Sequence, residues 1–160
     1  MGLIWKYFTS DKRKSALSFT QNLLNIIIAG GTFDNAKTSY VQKIYTRLSI
    51  SQGDIAMIAK KGVPLYVPKS SSERLEQLYE VIAVQVMGSD NLTPEESVLI
   101  LNLTFSFGFT ADLSGDLLTG LRETTKIASS GLSPEMVQVK GREKLTELFR
   151  LVKQKYGLSL

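Results

Sequence analysis

The stretch Leu92-Thr93-Pro94-Glu95-Glu96-Ser97-Val98-Leu99-Ile100-Leu101-Asn102-Leu103-Thr104-Phe105-Ser106-Phe107-Gly108-Phe109-Thr110 decides the fold class, because its two halves argue for different structures. Thr93-Pro94-Glu95-Glu96 is a helix start. Thr93 has the hydroxyl of an N-cap, Pro94 occupies the position where a missing N–H costs nothing, and Glu96 stands where it closes a capping box. From Leu101 to Phe109, however, apolar and polar residues alternate, which is the period of a half-buried strand. The helix reading wins here. The capping box commits the chain, and the run is apolar on nearly all sides, as in a central buried helix. Thr110 then caps a further helix carrying Leu113, Leu117, Leu118 and Leu121 and reaching about Ala128.

The rest of the chain reads in the same way. Ser15 to Ala29 is a helix with a broad stripe of Leu17, Leu23, Leu24, Ile27 and Ile28, stopped by Gly30-Gly31. Asp34 caps the next, in which Tyr40, Val41, Ile44, Tyr45 and Leu48 share a face. Ser51 caps a third, with Ile55, Ile58 and Ala59, and Lys60-Lys61 suit the macrodipole at its end. Residues 62–71, with Pro64, Pro68 and serines, form a connector. Ser71 or Ser72 opens a fourth helix with Leu75, Leu78, Tyr79, Ile82, Ala83 and Val86. The last helix, about 134–157, is clearest at Leu145, Leu148, Phe149, Val152 and Tyr156. The expectation is one all-α domain over 1–160, a compact bundle of about seven helices.

Sliding the chain by 59 residues superposes its two halves. Asp34 meets Thr93, Leu23 meets Ile82, and Ile27 meets Val86. Tyr40, Val41, Ile44, Leu48 and Ile50 meet Leu99, Ile100, Leu103, Phe107 and Phe109. The spacing predicts a duplicated helix–loop–helix unit, about 15–61 and about 72–128, sharing one core rather than forming an open array.

Composition excludes several chemistries. The 160 residues include no Cys and no His. Disulfides, thiolate nucleophiles, Ser-His-Asp catalysis and the common structural zinc sites are therefore ruled out. A metal here has to be a hard cation on oxygen ligands. No run of ~20 apolar residues exists to cross a bilayer, and no secretion signal is visible, so a cytoplasmic location is expected.

Charge is unevenly placed. Between Arg74 and Arg122 there is no Lys or Arg, while Glu76, Glu80, Asp90, Glu95, Glu96, Asp112 and Asp116 lie there. The flanking segments are basic, giving a net charge of +4. Either the basic ends pack around the acidic middle, or that middle meets a protein partner. Leu3, Ile4, Trp5, Tyr7 and Phe8 beside Lys6, Lys12, Arg13 and Lys14 make residues 3–14 a frayed or docked terminus or a membrane-surface contact. The bases of the tail, Lys140, Arg142, Lys144, Arg150, Lys153 and Lys155, are interleaved with Glu143 and Glu147. That arrangement reads as a solvated face, so nucleic acid is not the expected partner.

Ile28-Ala29-Gly30-Gly31-Thr32-Phe33-Asp34 with Leu48-Ser49-Ile50-Ser51, and Met87 to Glu96 with Phe107-Gly108-Phe109-Thr110, resemble the TerB-like (tellurite-resistance TerB) family over about residues 20–120. The resemblance implies an all-α fold of two pseudo-symmetric halves, association with tellurite or stress-response systems, and binding rather than catalysis. It also implies a divalent metal on acidic residues. This chain departs from the pattern where Gly30-Gly31 replaces the acidic-glycine element of the first loop and Asn91 follows Asp90.

Three functions stay open. The first is a non-catalytic binding or scaffold module. The second is a divalent-cation site built from Asp34, Asp90, Glu95 and Glu96, the only cofactor candidate. Against it, Asp34 and Glu96 are explained equally well as caps. The third is a carboxylate hydrolase, which needs paired acids in a cleft. Gly30-Gly31 lacks the strand and the Gly-Lys-Ser/Thr of a phosphate loop and reads as a helix stop.

Overall fold

In the computed structural model, residues 10–30, 35–87, 93–126 and 131–158 are described. Seven helices follow in order: α1 Asp11–Gly30, α2 Asn35–Arg47, α3 Gln52–Lys61, α4 Ser71–Met87, α5 Pro94–Ser106, α6 Ala111–Thr125 and α7 Pro134–Lys155. No strand occurs among the described residues. The all-α expectation holds.

The caps carry much of this. Thr93 accepts from the N–H of Glu96 at 3.1 Å, and Glu96 accepts from the N–H of Thr93 at 3.0 Å. Ser51 forms a second capping box with Asp54 at 3.0 and 2.9 Å. Thr110 and Ser133 cap α6 and α7. The first helix starts four residues earlier than Ser15, because the Ser10 hydroxyl accepts from the N–H of Arg13 and draws Asp11 to Lys14 into the first turn. The fourth helix opens at Ser71 as expected, and Ser70 before it acts as its cap: its hydroxyl accepts from the Glu73 N–H at 3.1 Å.

The strand-like alternation after Leu99 resolves into helix. Glu96, Ile100, Leu103, Thr104 and Phe107 are buried, a 3.6-residue period. Yet α5 is not buried all round, since Val98 and Phe105 are about half exposed. The central element is α4, in which every residue from Val81 to Gln85 is buried and which packs against α1, α2, α5 and α7. On α1 the expected stripe is buried at Leu17, Leu23 and Ile27, and Leu24 packs against the core. Phe19 and Ile26 are inside as well, whereas Ile28 is 75% exposed.

The connector after α3 is held down. Its Val63 and Tyr66 N–H groups donate to Gln21 Oε1 and Ser18 Oγ of α1, at 3.3 and 2.9 Å, and Pro68 is buried. Side chains of one element thereby satisfy the backbone of another that has no ladder of its own.

The turn after α2 and the turn after α5 share one hydrogen-bond pattern 59 residues apart. Leu48, Ser49 and Ile50 donate to the carbonyls of Ile44, Thr46 and Tyr45; Phe107, Gly108 and Phe109 donate to those of Leu103, Phe105 and Thr104. Both turns have a positive φ at the middle residue, 57° at Ser49 and 84° at Gly108. Leu23, Val41 and Ile44 are buried, and so are Ile82, Ile100 and Leu103.

Candidate functional site

Of the four acids considered for a cation site, only Glu95 and Glu96 are among the described residues. Asp34 and Asp90 lie outside the described residues, as do residues 1–9 and with them most of the 3–14 segment. Glu95 is exposed on the first turn of α5. Glu96 is 2% exposed, and one carboxylate oxygen is spent on the Thr93 N–H. Its other oxygen faces the end of α1, where the Lys37 ammonium also arrives. A methyl group added at Gly30 would lie 3.2 Å from Glu96 Oε2 and 3.5 Å from Lys37 Nζ. Lys37 is itself 3% exposed. Two buried polar side chains, one from α2 and one from α5, thus approach Gly30 at the end of α1. Among the described residues, no group of three acids could hold a metal.

The acidic middle is partly consumed inside the molecule. Glu80 accepts from the Tyr40 hydroxyl and lies 4.0 Å from Arg47. Asp116 accepts from Lys155 at 2.8 Å and from Tyr156 at 2.5 Å. Acids of α4 and α6 therefore face bases of α2 and α7.

A cleft of about 920 Å³ lies where α4 runs between α1, α2 and α7. That volume falls within the range of small-molecule sites. Its apolar surface comes from Ala16, Phe19, Leu48, Leu75, Tyr79 and Phe149. Tyr79 and Phe149 meet edge to face with centroids 5.2 Å apart. On the α4 wall Glu73, Glu76 and Glu80 recur at i, i+3 and i+7, so they share one face of the helix. Lys12, Arg13, Arg47 and Lys153 stand on the same rim.

Not all of these charges are equally committed. Arg13 donates to Asp54 at 2.6 Å and to the Ser49 carbonyl at 3.3 Å. Ser15 donates to Glu73 at 3.1 Å and accepts from Gln77 Nε2 at 2.7 Å, which fixes the Gln77 amide. Burial first, then the Glu80 hydrogen bond, pushes the Tyr40 phenol well above the ordinary tyrosine range. Tyr40 is therefore a neutral donor that, with Arg47, holds the Glu80 carboxyl in place. Lys12, Lys153 and Glu76 have no ion pair among the described residues.

A shallower apolar groove is formed by Asn25, Ile28, Ala29, Pro94, Glu95, Val98 and Leu99.

Sequence reasoning missed the cleft. The 3-and-4 spacing of Glu73, Glu76 and Glu80 was a readable signal of a single acidic face. The bases opposite come from the two ends of the chain, and only packing brings them there. No family model, no curated protein and no solved structure matches the chain.

Proposed function

We propose that this chain is a non-catalytic binding module whose ligand occupies the cleft between α1, α2, α4 and α7. The observation that carries the reading is the cleft itself: an apolar floor under a rim that bears both signs of charge, at the volume of a ligand site. The reading places the acidic middle in the site through Glu76 and Glu80. Binding without catalysis accords with a chain lacking His and Cys, and with rim acids already supplied with donors at Glu73 and Glu80. A scaffold role in a stress response is what the TerB-like resemblance adds. The matching turns and buried positions at a 59-residue offset support the further reading that α1–α3 and α4–α6 are two copies of one unit.

The test uses the uncharged dye Nile red, whose fluorescence rises in apolar sites. One dye should bind per chain, and Glu76→Trp, which fills the cleft from an exposed position, should abolish the signal while cooperative unfolding persists. Dye binding that ignores Glu76→Trp, or no binding at all, overturns the reading.

A further inference from the structure

We infer that the ligand of the cleft is a short peptide with free ends, a zwitterion on an apolar body; this rests on the cleft being the binding site. Electrostatic complementarity selects for a ligand whose charges mirror those of the wall. The rim charges that have no ion pair among the described residues are of both signs: Glu76 on α4 against Lys12 on α1 and Lys153 on α7. Glu73 adds a carboxylate that receives only the neutral Ser15 hydroxyl. Arg13 and Arg47, by contrast, are drawn to Asp54 and Glu80. A purely anionic ligand would bring a like charge against Glu73 and Glu76. A purely cationic one would meet Lys12 and Lys153. Only a molecule carrying both an ammonium and an acid group satisfies the wall from each side.

Between those charges lie Ala16, Phe19, Leu75 and Phe149, which suit an aliphatic side chain rather than a bare headgroup. Ser49 and Ser10 on the same lining supply polar contacts for amide groups. In this arrangement the ligand's ammonium meets Glu73 and Glu76, its carboxylate meets Lys12 and Lys153, and its side chains cover the floor.

The probes are trileucine, N-acetyl-trileucine and trileucine amide, titrated calorimetrically into the intact chain. Trileucine should bind, and blocking either end should weaken it by about tenfold, the size of one charge-assisted hydrogen bond. In Glu73→Gln/Glu76→Gln, acetylation should no longer matter while amidation still does. In Lys12→Gln/Lys153→Gln the pattern should reverse. Trileucine failing to bind a cleft that still takes the dye overturns the peptide and leaves the site. Equal binding of all three probes to the unaltered chain overturns the charge pairing and with it the proposal. Loss of dye binding as well overturns the site.

Discussion

Ser49 and Gly108 occupy equivalent points in their turns, yet only one is the residue the backbone prefers there. A φ of 57° places Ser49 in the left-handed region, where a Cβ costs roughly 1–2 kcal/mol. Ser49→Gly should therefore stabilise the chain by about 0.5–1 kcal/mol once the looser unfolded state is counted. Gly108→Ala should destabilise it by about 1 kcal/mol. Its added methyl would meet nothing closer than Arg74 Nη1 at 3.5 Å, so the cost is in the backbone. Urea unfolding of both variants measures the pair.

At Asp54 the Ser51 N–H first, and then the Arg13 guanidinium, hold the carboxyl below its usual range. A depressed folded pKa gives stability that is present above the unfolded value and lost as pH falls through the folded one. The melting temperature of Asp54→Asn should thus lie below that of the unaltered chain at pH 7, and the gap should close below about pH 4. At the other end of the scale, burial pushes Tyr45 up to about 12. Its raised pKa contributes stability that is complete below about pH 10 and declines above it.

At the scale of elements, α6 and α7 lie so close that a methyl at Gly120 would fall 2.3 Å from Leu148 Cδ1 and 3.0 Å from its Cγ. The whole isobutyl group stands in the way, not a flexible tip. Gly120→Ala should cost about 1–3 kcal/mol, and Leu148→Ala in the same chain should recover part of that loss, a coupling that a double-mutant cycle reads directly. Helix starts were the most legible elements, because a cap is a local device: Thr93, Ser51 and Thr110 all act where hydroxyl spacing put them. Removing the Thr93 hydroxyl by Thr93→Ala should cost about 1 kcal/mol in thermal unfolding, more than the same change at exposed Thr119. Faces were less legible. Ile28 matched the apolar stripe of α1 but is 75% exposed, while Phe19 and Ile26, which the stripe left out, are buried. Periodicity names the residues that can be buried together, and the partner helix chooses among them.

For the whole molecule, the basic–acidic–basic order of the chain becomes an arrangement in space. Acidic α4 lies between α1, α2 and α7, which carry the bases. The charge order offered that apposition as one of two readings, but not which residues would face each other, since Lys12 and Lys153 are 141 positions apart in the chain. Nor was the burial of Lys37, which sits among Asn35, Ala36 and Thr38 in a segment that reads as solvated. Its explanation lies on two other helices, at Gly30 and Glu96. Caps and composition are properties of single segments. The cleft is a property of four helices at once, and that is why the sequence pointed to loop acids while packing placed the best-formed concavity elsewhere.

The central claim is that the cleft, and no other surface, receives the ligand. Amide chemical shifts of the isotopically labelled chain, followed as trileucine is added, test it most directly. The account predicts saturating shifts centred on Ala16, Leu48, Ser49, Gln77 and Lys153, with Ile28, Val98 and Leu99 unmoved. Shifts centred instead on Ile28, Val98 and Leu99, or none at all, would contradict it.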